Sequence, residues 1–282
     1  MGSDLWGRLA RGVAALALGL LLAGGPRALA ADAGDVRAAT VDGRRVAYRV
    51  LGSGRPVLVM ISGLGDGMAS FKDVTPDLAR ARTVIVYDRA GYGGSAPASA
   101  PRDADTATRE LSGVLAASGV RGPYVLLGHS LGGLYAEHYA AKHPDQVAGL
   151  VLEESRPADF TRRCEGAGIG MCAPPALLVR LMPKGAQGEV AALPATLAQV
   201  EAASPFRAAP VLVLSRPTGP KPSPFDALWT QAQADLAAHH AATHLTAPGG
   251  GHYVHQDQRA WFVETVLKFT AGLADQSRVS NR

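Results

Sequence analysis

The sequence predicts an α/β fold: a mostly parallel, doubly wound sheet with a helical cap inserted before the penultimate strand. Three observations predict it. Short continuous runs rich in Val, Leu and Ile recur along the chain, as in strands covered on both faces. Segments with helical spacing fall between those runs, and such alternation implies right-handed crossovers between parallel strands. One interval, Ser155 to Ala209, breaks the alternation with several glycines, both cysteines and two apolar patterns, Pro175 to Met182 and Val190 to Ala203. That interval is the expected cap.

In chain order, residues 1–30 have the pattern of a secretory signal. Arg8 and Arg11 precede an apolar stretch, Val13 to Ala23, which is too short to span a bilayer, and Ala28-Leu29-Ala30 forms a small-x-small cleavage site. The mature chain is expected to begin near Ala31, with an uncleaved anchor as the alternative. Export implies a periplasmic or extracellular protein, with no stable membrane insertion once the signal is cleaved. Residues 31–282 then read as one domain with 155–209 as its cap insertion. Val41 to Val50 is a hairpin turning at Asp42-Gly43. Pro56 to Ser62, Thr83 to Asp88, Tyr124 to Gly128, Ala148 to Glu153, Pro210 to Ser215 and Thr243 to Leu245 are the further strands. Helices are expected over Phe71 to Arg80, Thr106 to Ser118, Leu131 to Lys142, Phe225 to His240 and Gln258 to Thr270, with Pro144 closing the third. Arg216 to Pro224 holds four prolines and predicts a stiff, extended loop.

Chemistry concentrates at Gly128-His129-Ser130-Leu131-Gly132, between a strand pattern and a helix pattern. A tight strand-to-helix turn lifts a serine Oγ above the sheet, and small residues on either side let the neighbouring backbone approach. The helix that follows aims its first N–H groups at any oxyanion formed there. Ser62-Gly63-Leu64-Gly65, the run from Tyr87 to Gly93 (YDRAGYG) and Gly251-His252-Tyr253 accompany this elbow in order and spacing. Together these motifs resemble the α/β-hydrolase superfamily over essentially the whole mature length.

The resemblance implies Ser130 as nucleophile and His252, after the last strand, as its base; His255 is the competitor and is otherwise expected at the surface or pocket rim. His129 is expected to pack or orient the elbow. The acid departs from the commonest pattern, because the loop after Val211 to Ser215 offers no nearby carboxylate. Haloalkane dehalogenases place it one strand earlier, and Glu154 occupies that position here; Asp226, Glu153, Asp159 or no acid at all are the alternatives. Backbone N–H groups of Leu64 and Leu131 are the expected oxyanion donors. Asp88 and Arg89 are expected to brace a turn beside the site, and Tyr253 and Trp261 to pack.

Composition narrows the partners. The formal net charge is +4, about half of it from residues 1–30, and the remaining Lys and Arg form no basic stripe, so nucleic acid is not an expected partner. No phosphate-binding glycine loop opens a helix and no two-histidine metal spacing stands out; neither cofactor nor metal is expected. Cys164 and Cys172, separated by a glycine-rich loop in an oxidising compartment, are expected to form a disulfide, with two free thiols as the alternative. The expected function is an exported serine hydrolase acting on a small-molecule carboxylic ester. The same triad also serves amide, lactone and carbon–carbon hydrolysis and perhydrolysis. A low-turnover small-molecule-binding protein and a structural role are the alternatives outside catalysis.

Overall fold

Asp42 and Gly43 take φ of 49° and 73°, the pair of positive values that a tight hairpin needs, and so connect β1 (Arg37–Val41) to β2 (Arg44–Leu51). The computed structural model describes residues 35–98, 101–170, 172–203 and 205–279. The signal segment and cleavage site expected within residues 1–30 lie outside the described residues. The further strands are β3 (Val57–Ile61), β4 (Val84–Tyr87), β5 (Tyr124–His129), β6 (Val147–Glu153), β7 (Val211–Ser215) and β8 (Thr243–Thr246). They form one sheet in the order β1-β2-β4-β3-β5-β6-β7-β8. β2 pairs antiparallel with β1 and β4, and every pairing from β4 to β8 is parallel.

The helices are α1 (Thr75–Ala79), α2 (Ala104–Ser118), α3 (Leu131–Lys142), α4 (Phe160–Gly166), α5 (Ala176–Leu181), α6 (Lys184–Ala203), α7 (Pro224–His240), α8 (Val254–Asp257) and α9 (Arg259–Val279). Two cores flank the sheet, because alternate strand residues face opposite ways. Val57, Val59, Ile61, Leu126 and Leu152 pack with residues of α2, α3 and α7. Leu58, Met60, Val125, Leu127 and Val151 pack on the other face with Leu78 of α1, Val254 of α8, and Phe262 and Val266 of α9. β3 is buried at all positions, which accounts for its unbroken apolar sequence.

Several boundaries differ from expectation for local reasons. The helix expected over Phe71 to Arg80 is split into a 3-10 turn, Met68–Phe71, and α1. Pro76 has no N–H to donate back to Lys72, so one α-helix cannot run through it. α2 begins two residues early because the Asp103 side chain accepts Thr106 N–H at 2.9 Å and caps it. Ser223 caps α7 in the same way, so Pro224 opens that helix instead of ending the proline-rich loop. α9 runs past Thr270 to Val279.

Between β6 and β7 the chain forms α4, α5 and α6, of which α4 has no counterpart in the expected pattern. α6 is longer than the expected Val190 to Ala203, continues through Pro194, and packs on α3 and α2. Cys164 of α4 is bonded to Cys172, with Cα atoms 5.7 Å apart. Phe160, both cysteines, Trp229 and Ala232 make a small third core beneath this bridge. Among the described residues, no helix is long and apolar enough to cross a membrane.

Candidate active site

Ser130 stands between the last residue of β5 and the first of α3, at φ 53° and ψ −119°. A non-glycine residue holds such a conformation only where its surroundings impose it. Here the surroundings are backbone at close range. A Cβ on Gly128 would lie 2.6 Å from Gly133 Cα, and one on Gly132 would lie 2.6 Å from the Ser62 carbonyl oxygen. The two glycines of the motif are therefore packing requirements. Ser130 N–H donates to the Glu153 carbonyl at 3.1 Å, tying the turn to the end of β6. Leu131 opens α3, so its N–H has no acceptor one turn back in the helix. Leu64 follows Gly63, and a Cβ on Gly63 would lie 3.3 Å from Ser130 Cβ, so the turn after β3 lies against the elbow.

His252 Nδ1 lies 3.1 Å from Glu154 Oε2. A carboxylate oxygen accepts, so the ring proton sits on Nδ1 and Nε2 keeps its lone pair. Glu154 is fully buried, at φ 45°, just beyond β6. Its Oε1 accepts the Arg216 N–H at 2.8 Å, and its Oε2 also accepts the Trp229 indole N–H at 2.9 Å. Asp226 serves elsewhere: it accepts from Ser223 Oγ at 2.7 Å and from Arg216 Nη2 at 2.8 Å. Burial raises the Asp226 pKa, but the Ser223 bonds and the Arg216 charge outweigh it and leave the group below its ordinary value. Asp159 faces Arg163 at 3.9 Å.

His255 departs from the expected surface or rim position. It is 1% exposed and forms a second glutamate–histidine pair beside the first. Glu153 Oε1 accepts both the His255 backbone N–H at 2.7 Å and Nδ1 at 2.8 Å, while Nε2 faces the Ser70 carbonyl at 3.2 Å. Burial depresses the His255 pKa, but the Glu153 charge and hydrogen bond exceed that effect and raise it. Burial likewise pushes Glu153 up, and His255 brings it below its ordinary value. His129 lies between the pairs, with ring centroids 4.9 Å from His252 and 5.1 Å from His255. Its Nε2 donates to the His252 carbonyl at 2.9 Å and its Nδ1 has no partner. Burial lowers its pKa to about 3, opposed by Glu153, so the ring is neutral.

His129, Glu153 and His255 are also the one group of metal-ligand type among the described residues, their donor atoms all within 4.8 Å. Glu153 and His255 already bond each other there, and a cation would have to displace those bonds. Asp88 braces a turn, as expected: its carboxylate accepts Met68 N–H at 2.8 Å and Gly94 N–H at 2.9 Å. Tyr253 packs on His129 at 4.8 Å. Burial raises the Asp66 pKa. Sequence reasoning missed Trp229 and Arg216. No local signal marks either of them, because each reaches Glu154 through tertiary packing.

Residues 56–193 match the family described as alpha/beta hydrolase fold. With the sheet order and the elbow, this match gives the chain the alpha/beta hydrolase fold. It is 32% identical over 113 residues to the uncharacterized protein YbdG of Bacillus subtilis, covering 39% of this chain and 35% of that one. It is 35% identical over 114 residues to the (lyso)-N-acylphosphatidylethanolamine lipase of Bos taurus, covering 37% and 33%. The aligned stretch thus spans about a third of each of these relatives. In fold it is similar to a thermophilic esterase from Thermogutta terrifontis, at TM-score 0.62 and 21% identity over 85% of this chain and 99% of that one.

Proposed function

We propose that the chain is an exported serine hydrolase of small carboxylic esters, with Ser130 as nucleophile, His252 as base and Glu154 as acid. The observation that carries the reading is the strained Ser130 turn at the same strand ends as a His252–Glu154 pair 3.1 Å apart. In this mechanism His252 Nε2 takes the Ser130 proton as Oγ adds to the ester carbonyl, and the Leu64 and Leu131 N–H groups receive the oxyanion. The tetrahedral intermediate collapses, the C–O bond to the alcohol breaks, and His252 returns the proton to the leaving oxygen. Water then repeats the sequence on the acyl-enzyme, releasing the acid and restoring the serine. Glu154 holds the Nδ1–H tautomer and stabilises the imidazolium formed in each half-reaction. The helices between β6 and β7 act as the cap over this site. The lipase and esterase names among the relatives are consistent with ester chemistry.

A fluorophosphonate probe tests the reading. Folded wild-type protein should label at Ser130 and hydrolyse p-nitrophenyl acetate, and Ser130→Ala should lose both. Folded wild-type protein that neither labels nor turns over would instead support a binding role for the pocket.

A further inference from the structure

Arg89 is completely buried just after β4, and all five of its N–H groups are engaged. Nε donates to Glu189 Oε1 at 2.6 Å and Nη2 to Glu189 Oε2 at 3.2 Å. Nη1 donates to the Ser62 carbonyl at 2.6 Å and to the Ser62 hydroxyl at 3.1 Å, and Nη2 also donates to the Gly63 carbonyl at 2.8 Å. Glu189 belongs to α6, in the insertion, and its Oε2 accepts the Tyr92 hydroxyl at 2.6 Å. That hydroxyl in turn accepts the Gly65 N–H at 3.2 Å. Both arms of this buried network therefore end on the turn that carries Leu64.

Among the described residues the cis peptide bonds are Arg55–Pro56 and Gly122–Pro123, and the Gly63–Leu64 peptide is trans. In a planar trans peptide, C=O and N–H point in opposite directions. Holding the Gly63 carbonyl on Arg89 therefore fixes where the Leu64 N–H points, and this peptide lies against Ser130. A cation on the carbonyl also polarises the peptide and strengthens its N–H as a donor.

On the serine-hydrolase reading above, we propose that Arg89 is a positioning residue that orients and strengthens the Leu64 oxyanion donor, and that Glu189 couples this donor to the seating of α6. A stabilising ion pair alone would explain the burial of Arg89 and Glu189. It does not account for two bonds to consecutive carbonyls at the oxyanion turn.

The test is hydrolysis of p-nitrophenyl acetate by Arg89→Lys, Glu189→Gln and Tyr92→Phe, with active sites counted by fluorophosphonate. Lysine keeps the charge but loses the planar five-donor fork. The expected result for Arg89→Lys is a fall in kcat per titrated site of about 100-fold with little change in KM. Affinity for a trifluoromethyl ketone, whose adduct bears the same oxyanion, should fall in parallel with kcat/KM. Glu189→Gln and Tyr92→Phe should show smaller losses of the same kind, on the order of 3- to 10-fold. A purely structural role would lower thermal stability and the number of titratable sites while leaving kcat per site unchanged, and that result overturns the proposal. If Arg89→Lys does not fold, unchanged kcat per site in the other two variants overturns it. An inactive, unlabelled wild-type protein would sink the Ser130 reading and this one together. An active wild type, an inert Ser130→Ala and unaffected Arg89 variants would sink this one alone.

Discussion

A carboxylate buried as completely as Glu154 needs donors, and its four neighbours at hydrogen-bonding or ion-pair distance are all N–H groups: His252, Trp229, and the backbone and side chain of Arg216. On the proposed serine-hydrolase mechanism, Glu154→Gln places an amide donor against those donors and removes the charge proposed to stabilise an imidazolium. We expect kcat to fall by about 10²- to 10⁴-fold. Asp226→Asn, which alters a half-exposed group bonded to Ser223 and Arg216, should leave kcat near the wild-type value; steady-state kinetics on both variants make the comparison. His129 predicts a pH dependence of stability. Its folded pKa is about 3 against an ordinary 6.5, with Glu153, His252 and His255 around it. Below pH 6.5 the unfolded chain takes up a proton that the folded ring refuses. Stability is therefore lost as pH falls from 6.5 towards 3, on the order of 5 kcal/mol over the whole span. Glu153 adds to the acid loss, because a lowered carboxylate pKa stabilises above its ordinary value and loses that contribution as pH falls through the folded one. His255 acts oppositely: its raised pKa stabilises at low pH and loses that contribution as pH rises through the folded value. Melting temperature against pH should accordingly decline on the acid side, and His129→Gln should flatten that decline.

At the scale of elements, the turn from β5 to α3 is held by backbone contacts that cannot yield. A Cβ on Gly132 would press on the carbonyls of both Ile61 and Ser62. Gly132→Ala should therefore move the end of β3 and the turn that carries Leu64 together, costing about 1–3 kcal/mol or more and, on the proposed function, much of the activity. Thermal melts and kcat per titrated site measure the two effects. The same packing explains what the sequence made legible. The strand runs and the elbow are written in local patterns, so the sheet could be anticipated, while the Glu154–His252 pairing is what the resemblance to the α/β-hydrolase superfamily implies. The burial of His255 is not legible locally, because its partners Glu153 and Ser70 and the ring of Phe71 are distant in sequence. The apolar spacing from Phe71 to Arg80 continues through Pro76, but the missing N–H there splits the helix. Trp229 lies on α7 in an apolar pattern like any core residue, and only the folded chain brings its indole to Glu154.

For the whole molecule, the disulfide between Cys164 and Cys172 bears on the site through Trp229. Both half-cystines pack in one small core with that indole, which donates to Glu154. The bridge closes a short loop, with a sequence separation of 8, for which loop entropy gives roughly 2–3 kcal/mol. Reduction, or Cys164→Ser with Cys172→Ser, should lower the melting temperature by several degrees and raise hydrogen exchange in α4 more than in β5. Proposed export adds a further expectation: intact-mass analysis of the secreted protein should find an N-terminus near Ala31. The two adjacent carboxylates at the end of β6 have a consequence for folding itself. Glu153 and Glu154 are consecutive, yet each is matched to a different histidine, His255 and His252. If β6 assembled one residue out of step, Glu154 would be drawn to the partner of Glu153, and the Trp229 and Arg216 donors would be left without an acceptor. Each such buried orphan costs about 1–3 kcal/mol, so a slipped sheet is penalised at several places at once. The two adjacent glutamates, each with its own buried partners, therefore make a one-residue slip of β6 more costly than the loss of either pair alone.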